Sequence, residues 1–206
     1  MSAPTRLFLL RHAEVEERYH RVFGGRIDMD LSQRGHTQAN ALAKYLSKIP
    51  FDAIYASPMK RAQQTLAPIL AERASTPVLI DDLRECHFGD WTGMTWQQVH
   101  DKYQVSAFHW LDMMEQAKIP NGECSRTFRA RVEPHLKSIL EAHAGKTVAI
   151  MCHGGVVRML LSVLLDVPLP KLAMVNIEYA SLTEVHYSSL KTEVQLLNLT
   201  PWRDIS

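Results

Sequence analysis

Near its start the chain reads Leu7-Phe8-Leu9-Leu10-Arg11-His12, four apolar residues closed by a guanidinium and an imidazole. An apolar run of this length is typical of a buried strand and is far too short to cross a membrane. Packing does not explain why Arg11 and His12 directly follow such a strand. In open α/β sheets, ligands bind just beyond the carboxyl ends of the strands, so both side chains are candidates for a site.

The same arrangement recurs downstream, where an apolar run over residues 147–152 ends in His153-Gly154-Gly155. If both runs are parallel strands, His12 and His153 can converge on one pocket. Arg61 falls in the first turn of a predicted helix. Helix starts present free N–H groups and a positive dipole end, and Gly154 allows close approach of the backbone. Together these groups predict a pocket for a dianion, for which a phosphoryl group is the obvious candidate.

Hydrophobic periodicity predicts strands that alternate with helices, and hence an α/β fold. Helices are expected at residues 32–46, 60–71, 125–143 and 155–165, and further strands at 51–56, 78–80, 147–152, 181–187 and 193–199. This order implies a three-layer α/β/α sandwich with a mostly parallel central sheet. The last two strands have a short connection, so an antiparallel strand is expected near the sheet edge. Residues 85–124, rich in aromatics, are predicted to form an irregular helical cap inserted into a single domain over residues 1–206.

Composition excludes several classes of protein. The 206 residues are 46% hydrophobic and 22% charged, as in ordinary globular proteins, and the net charge of +1 predicts no binding to nucleic acid or membrane. Three separated cysteines without metal-ligand spacing argue against structural zinc and a disulfide framework, and favour a reducing compartment. With no signal-peptide pattern at the start, the predicted location is cytoplasmic. No catalytic metal and no cofactor are predicted.

Several motifs, in order and at matching spacing, resemble the histidine phosphatase (phosphoglycerate-mutase-like) superfamily. They are Arg11-His12-Ala13-Glu14, Ser57-Pro58 with Arg61-Ala62, Glu85 with residues 88–93, and Cys152-His153-Gly154-Gly155. The resemblance runs over roughly residues 7–199. It implies that His12 is a nucleophile that takes the phosphoryl group as a phosphohistidine, while Arg11, Arg61 and His153 hold the phosphoryl oxygens. It also implies that Glu85 protonates the leaving oxygen and then activates water.

The chain departs from the family pattern near the first histidine. Ala13 and Val15 stand where the family usually has glycine and threonine, and Arg18 aligns with an asparagine that helps to hold phosphate. A cation at Arg18 could bind the phosphate or select a second anionic group, and both alternatives stay open. The predicted substrate-binding residues are Arg18, Gly25 and Gly154.

Simpler interpretations apply to other residues. Trp91, Trp96 and Trp110 are expected in core and cap packing, and Cys152 as a small buried residue rather than a nucleophile. A rim salt bridge between Arg84 and Glu85 is the alternative to a catalytic Glu85. A last set of charges is expected on the solvated face of a helix: Arg126, Arg129 and Arg131.

The predicted function is that of a metal-independent phosphomonoesterase acting on a small phosphorylated metabolite. Residues 88–125 most resemble the α-ribazole phosphatases, enzymes of cobalamin nucleotide-loop assembly. Alternatives are a broad-specificity sugar-phosphate or fructose-2,6-bisphosphate phosphatase and a phosphoglycerate mutase. A module that binds phosphorylated ligands without turnover and a metal-dependent hydrolase are further classes. A monomer and a homodimer are both compatible with the sequence.

Overall fold

The computed structural model describes residues 3–205 except 72 and 74. The strands in this part of the chain are β1 (Thr5–Arg11), β2 (Ala53–Ala56), β3 (Val78–Leu79), β4 (Thr147–Cys152), β5 (Leu182–Tyr187) and β6 (Thr192–Leu199). The α-helices are α1 (Gln33–Leu46), α2 (Lys60–Leu70), α3 (Trp96–Tyr103), α4 (Trp110–Glu115), α5 (Ser125–Ala142), α6 (Gly154–Leu165) and α7 (Pro201–Asp204). The predicted elements are all present, and their ends shift by at most two residues.

The strands form one mixed sheet in the order β3-β2-β4-β1-β5-β6. Neighbours from β3 to β1 are parallel, whereas β5 is antiparallel to both β1 and β6. The predicted antiparallel strand is therefore β5, one position in from the edge. In the β1–β4 pair, Arg11 lies opposite Cys152. The residues that follow these two strands, His12 and His153, consequently emerge side by side.

Two apolar cores explain why β1 and β4 have continuous apolar runs instead of alternation. Leu7 and Leu9 of β1 belong to the core that includes α5 and α6, whereas Phe8 and Leu10 belong to the core that includes α1 and α2. Successive side chains of a strand point to opposite faces, and both faces here are covered by helices. The arrangement confirms the predicted α/β sandwich with its mostly parallel sheet.

The cap over residues 85–124 is irregular and helical, as predicted, and it is anchored in the main core. Besides α3 and α4, it holds two 3₁₀ turns, Gly89–Trp91 and Ala107–His109. Its buried residues join the core on the α5–α6 side: Trp91, Val99, Leu111 and Met114. A further 3₁₀ segment, Leu169–Met174, lies outside the cap in sequence and was not predicted. No α-helix in the described part of the chain is long and apolar enough to span a membrane.

Candidate active site

His12 lies at the end of β1, where the Cys152 carbonyl accepts its backbone N–H at 3.0 Å. Its side chain is buried, and its Nδ1 lies 2.8 Å from the carbonyl oxygen of Ala13. A carbonyl oxygen can only accept, so this contact requires the proton on Nδ1. The lone pair of Nε2 is thereby directed away from the backbone, as a nucleophile requires.

Arg61, in the first turn of α2, joins the two histidines. Its Nε donates to Nε2 of His12 at 3.1 Å and to Nδ1 of His153 at 3.2 Å. Its remaining nitrogens donate to the carbonyls of Ile27 at 2.7 Å and Gly25 at 2.8 Å. Burial lowers the pKa of Arg61 to about 10, so the side chain is a cation at neutral pH.

Gly25 belongs to the site through its backbone. Its φ of +47° lies in the left-handed region that favours glycine, and this conformation accompanies the carbonyl contact with Arg61. A Cβ at this position would lie 3.1 Å from the carbonyl oxygen of Cys86 and 3.3 Å from the Phe88 ring. The carbonyl of Gly25 therefore helps to hold the Arg61 guanidinium in place by accepting a hydrogen bond from it.

His153 is fully buried as the residue preceding α6. Because its Nδ1 accepts from Arg61, its Nε2 carries the proton and donates to Oγ of Ser57 at 2.8 Å. Burial first, and then the charges of Arg61 and Arg11, lower the pKa of both His12 and His153 well below 6.5. Both imidazoles are thus neutral at neutral pH.

We expect ¹H–¹⁵N correlation spectra to show both rings neutral at pH 6.5, with His12 as the Nδ1–H tautomer. Each pKa is lower in the folded chain than the ordinary 6.5, so the unfolded chain takes up these protons first as the pH falls. The free energy of unfolding should decrease from pH 6.5 down to the folded-state pKa values. Spectra of His12→Ala and His153→Ala assign the signals, and a half-protonated His12 at pH 6.5 would contradict this prediction.

Arg11 contributes a second guanidinium. It donates to the Ile177 carbonyl, and its Cζ lies 3.9 Å from the ring centroid of Tyr179. Its Nε is buried and has no hydrogen-bond partner among the described residues. A Cβ on Gly154 would approach this Nε to 3.4 Å, which is ordinary contact. A buried donor of this kind suits an anionic oxygen.

Glu85 is held against the start of α6 by backbone donors. Its carboxylate accepts from the backbone N–H of Gly155 and from that of Cys86, each at 3.0 Å. Arg84 pairs with Asp81 instead, at 2.6 Å, so the expected alternative of an Arg84–Glu85 rim salt bridge is wrong. A Cβ on Gly155 would lie 2.4 Å from Oε1 of Glu85. The glycine therefore leaves the space that the carboxylate occupies.

Gly155→Ala should lower kcat/KM for an alkyl phosphomonoester by about 10²-fold, because a displacement near 1 Å of a reacting group has this effect. Gly154→Ala introduces only an ordinary contact and should cost much less. Steady-state phosphate release by both variants, with thermal unfolding to show intact folds, tests the difference. Equal losses in the two variants would contradict the steric argument.

These groups border an inner cavity of about 110 Å³ that is lined by Arg11, His12, Arg61 and Glu85, together with Tyr179. His153 contacts Arg61 and does not line this cavity. A larger outer groove of about 430 Å³ shares Arg11 and Glu85 with it. The aromatic residues that line the groove are Phe23, Phe88, Trp96, Phe108 and Trp110. The arrangement provides a small charged compartment beside a wider one that combines aromatic and charged side chains.

Arg18 does not join this cluster. Its side chain is 67% exposed, pairs with Glu16 at 2.8 Å, and stacks over the Tyr19 ring. The hydrogen bond to Glu16 raises the pKa of Arg18. Neither cavity is lined by it, so its role in binding substrate remains a prediction.

Other expectations for single residues have mixed outcomes. Trp91 is fully buried and Trp110 packs against the core on the α5–α6 side, as expected, while Trp96 and Trp110 both line the outer groove. Cys152 is buried, and burial raises the pKa of its thiol, which confirms its structural interpretation. The solvated-face prediction is wrong for Arg131, whose side chain is 12% exposed and paired with Glu123.

Two residues near the site were missed by the sequence reasoning. The ring centroid of Tyr179 lies 5.5 Å from that of His12, and no local sequence pattern predicts this contact. Arg158 donates to the carbonyls of Leu172, Gly154 and Val175 and lines the groove. It is the one charged residue in the apolar stretch of α6, and this exception to the apolar pattern could have marked it as a candidate site residue.

The chain matches the sequence model described as histidine phosphatase superfamily (branch 1) over residues 7–200. Phosphoserine phosphatase 1 of Hydrogenobacter thermophilus is 31% identical over 195 residues, covering 95% of this chain and 92% of the relative. Glucosyl-3-phosphoglycerate phosphatase of Mycolicibacterium vanbaalenii is 35% identical over 172 residues, covering 79% of this chain and 75% of the relative. The crystal structure of the α-ribazole phosphatase from Shigella flexneri superposes with a TM-score of 0.82 at 26% identity, covering 95% of this chain and 96% of that one.

The resemblance inferred from the motifs is thus confirmed across most of the chain, and these relatives share phosphatase names while differing in the substrate named. The chain belongs to the histidine phosphatase superfamily (branch 1).

Proposed function

We propose that this protein is a metal-independent phosphomonoesterase that acts through a phosphohistidine at His12. Nε2 of His12 attacks phosphorus as the ester P–O bond breaks, and Glu85 gives its proton to the departing oxygen. Glu85 then takes a proton from water, whose oxygen attacks phosphorus as the P–N bond breaks. Inorganic phosphate leaves and His12 returns to its neutral form, so protons and charges balance.

One observation carries this proposal: a buried neutral His12, whose Nε2 lone pair points away from the backbone and towards Arg61, faces a cavity lined by two guanidinium groups. We assign Arg11 and Arg61 to the phosphoryl oxygens, where fixed positive charge stabilises an in-line transition state. His153 completes the set by holding Nε of Arg61. A preorganised cationic cavity of this kind performs the electrostatic task that a metal ion performs in many phosphoryl-transfer enzymes.

The outer groove supports α-ribazole 5'-phosphate as the substrate. Its alcohol portion carries a ribose and a planar aromatic base, which match a groove lined by Phe88, Trp96 and Trp110 beside Glu85. The likeness to a solved α-ribazole phosphatase at 26% identity supports the same substrate.

Phosphoserine is the second candidate, because a phosphoserine phosphatase is 31% identical to this chain. Its ammonium and carboxylate groups would need charged partners in the groove. Of the two guanidinium groups that line it, Arg11 is assigned to the phosphoryl group, and Arg158 already donates to three backbone carbonyls. We therefore rank phosphoserine below a substrate with an aromatic alcohol portion.

Phosphate release in EDTA tests the proposal with α-ribazole 5'-phosphate, phosphoserine, 3-phosphoglycerate, fructose 2,6-bisphosphate and p-nitrophenyl phosphate. We expect turnover without added metal and the highest kcat/KM for α-ribazole 5'-phosphate. A higher kcat/KM for phosphoserine would overturn the substrate assignment. Activity lost in EDTA and restored by a divalent metal would overturn the mechanism. Vanadate binding without phosphate release from any substrate would identify a binding module. Isomerisation of phosphoglycerate would identify a mutase.

A further inference from the structure

A nearly buried ion pair contacts the backbone that carries Glu85 and lines neither the inner cavity nor the outer groove. Nε of Arg131, on α5, donates to one oxygen of Glu123 at 2.6 Å and its NH2 to the other at 2.9 Å. The side chains are 12% and 8% exposed. Two parallel hydrogen bonds of this kind fix direction as well as distance. The pair therefore forms a rigid unit between α5 and the end of the cap.

The same guanidinium holds the chain segment that carries Glu85. Its NH1 donates to the carbonyl of Asp82 and, at 2.9 Å, to that of Arg84, and its NH2 donates to that of Glu85 at 3.3 Å. One side chain thus contacts three carbonyls within four consecutive residues. These carbonyls lie outside any strand, so they lack the partners that a sheet would provide.

Glu123 anchors the other side of Glu85. The backbone N–H of His87 donates to its Oε2 at 3.2 Å, and the backbone N–H of Glu123 donates to the His87 carbonyl at 2.8 Å. Arg131 and Glu123 therefore form hydrogen bonds with the backbone on both sides of Glu85. Apart from these hydrogen bonds, the segment between the 3₁₀ turns Asp81–Leu83 and Gly89–Trp91 has no regular hydrogen-bond ladder.

We propose that the Arg131–Glu123 pair positions the Glu85 carboxylate for proton transfer to the leaving oxygen. The inference rests on the proposed function, in which Glu85 is the acid and base. Neither residue lines the inner cavity, so both act through Glu85 and not on the phosphoryl group. Loss of the pair shifts Glu85 while His12, Arg11 and Arg61, whose contacts lie elsewhere, keep their geometry.

This role predicts an effect that depends on the leaving group. An alkoxide must be protonated as it departs, whereas p-nitrophenolate leaves without an acid. In Arg131→Met, kcat/KM should fall by about 10- to 10²-fold for α-ribazole 5'-phosphate or ribose 5-phosphate. For p-nitrophenyl phosphate the fall should stay within about threefold, while phosphoenzyme accumulates because water activation also needs Glu85.

The experiment compares Arg131→Met, Arg131→Lys and Glu123→Gln with Arg129→Met in the full chain. The two conservative variants guard against loss of the fold, since breaking a buried ion pair destabilises a protein. Arg129 is the matched control, because it lies on the same helix and pairs with Glu133 at 2.6 Å on the surface. In a Glu85→Gln background, Arg131→Lys should add little further loss on the alkyl substrate, because both changes act on one group.

Equal losses on alkyl and aryl substrates in the conservative variants would mean that the pair only supports the fold, and would overturn the inference. Additive losses in the Glu85→Gln background would overturn it as well. The proposed function survives either result, because wild type would still turn over both substrates. Failure of wild type to release phosphate would overturn the proposed function, and this inference with it.

Discussion

His12→Ala should abolish phosphate release, with kcat reduced on the order of 10⁴-fold or more, because it removes Nε2, the nucleophilic nitrogen of the inner cavity. The methyl side chain of alanine leaves Arg11 and Arg61 in place. Rapid acid-free quenching of wild type during turnover should trap a base-stable, acid-labile phosphoryl group on the protein. The variant should trap none.

Substrate binding separates this chemical effect from a folding defect. Phosphate or vanadate should still bind to His12→Ala through the two guanidinium groups, and the circular dichroism spectrum should match that of wild type. A phosphoryl group trapped on the variant, or turnover within about tenfold of wild type, would assign the nucleophile to another residue.

Glu85→Gln should lower kcat/KM for alkyl phosphomonoesters by roughly 10²- to 10⁴-fold, because an amide can neither supply nor accept the transferred proton. The loss should be much smaller for p-nitrophenyl phosphate. Glutamine retains one of the two acceptor oxygens that face Gly155 and Cys86, so the local fold is largely preserved. Steady-state kinetics with both substrates measure the difference.

The matched comparison is Asp82→Asn, a neighbouring carboxylate that pairs with His135 at 2.8 Å outside the cavity. This variant should show no dependence on the leaving group. If Glu85→Gln loses the same factor on both substrates, general acid catalysis by Glu85 is contradicted and its role is steric or electrostatic.

The sequence predicted the strands and the residues after them because burial leaves a local signature. β1 and β4 are covered on both faces, which forces continuous apolar runs, and a charge directly after such a run is visible without a structure. His12 and His153 were found in this way. Arg61 was also predicted from its place in the first turn of a helix, and Glu85 from its position before an aromatic stretch, while the family resemblance supplied their roles.

The missed features depend on long-range contacts to backbone atoms. Arg131 looks like a surface residue of an amphipathic helix, but its partners are carbonyls more than 45 positions earlier in the chain. Arg158 is similar, because its guanidinium donates to the carbonyl of Leu172 in a 3₁₀ segment and to that of Val175 directly after it. Backbone carbonyls are the same in every residue type, so no residue pattern predicts such pairings.

The buried Nε of Arg11, which has no acceptor among the described residues, links the stability of the protein to the binding of its ligand. A buried donor without an acceptor costs about 1–3 kcal/mol, and an anionic oxygen bound there relieves the penalty. Because such a ligand binds the native state alone, the melting temperature should rise with phosphate concentration, and proteolysis should slow. The abundance of this protein would then follow the supply of its own substrate and product.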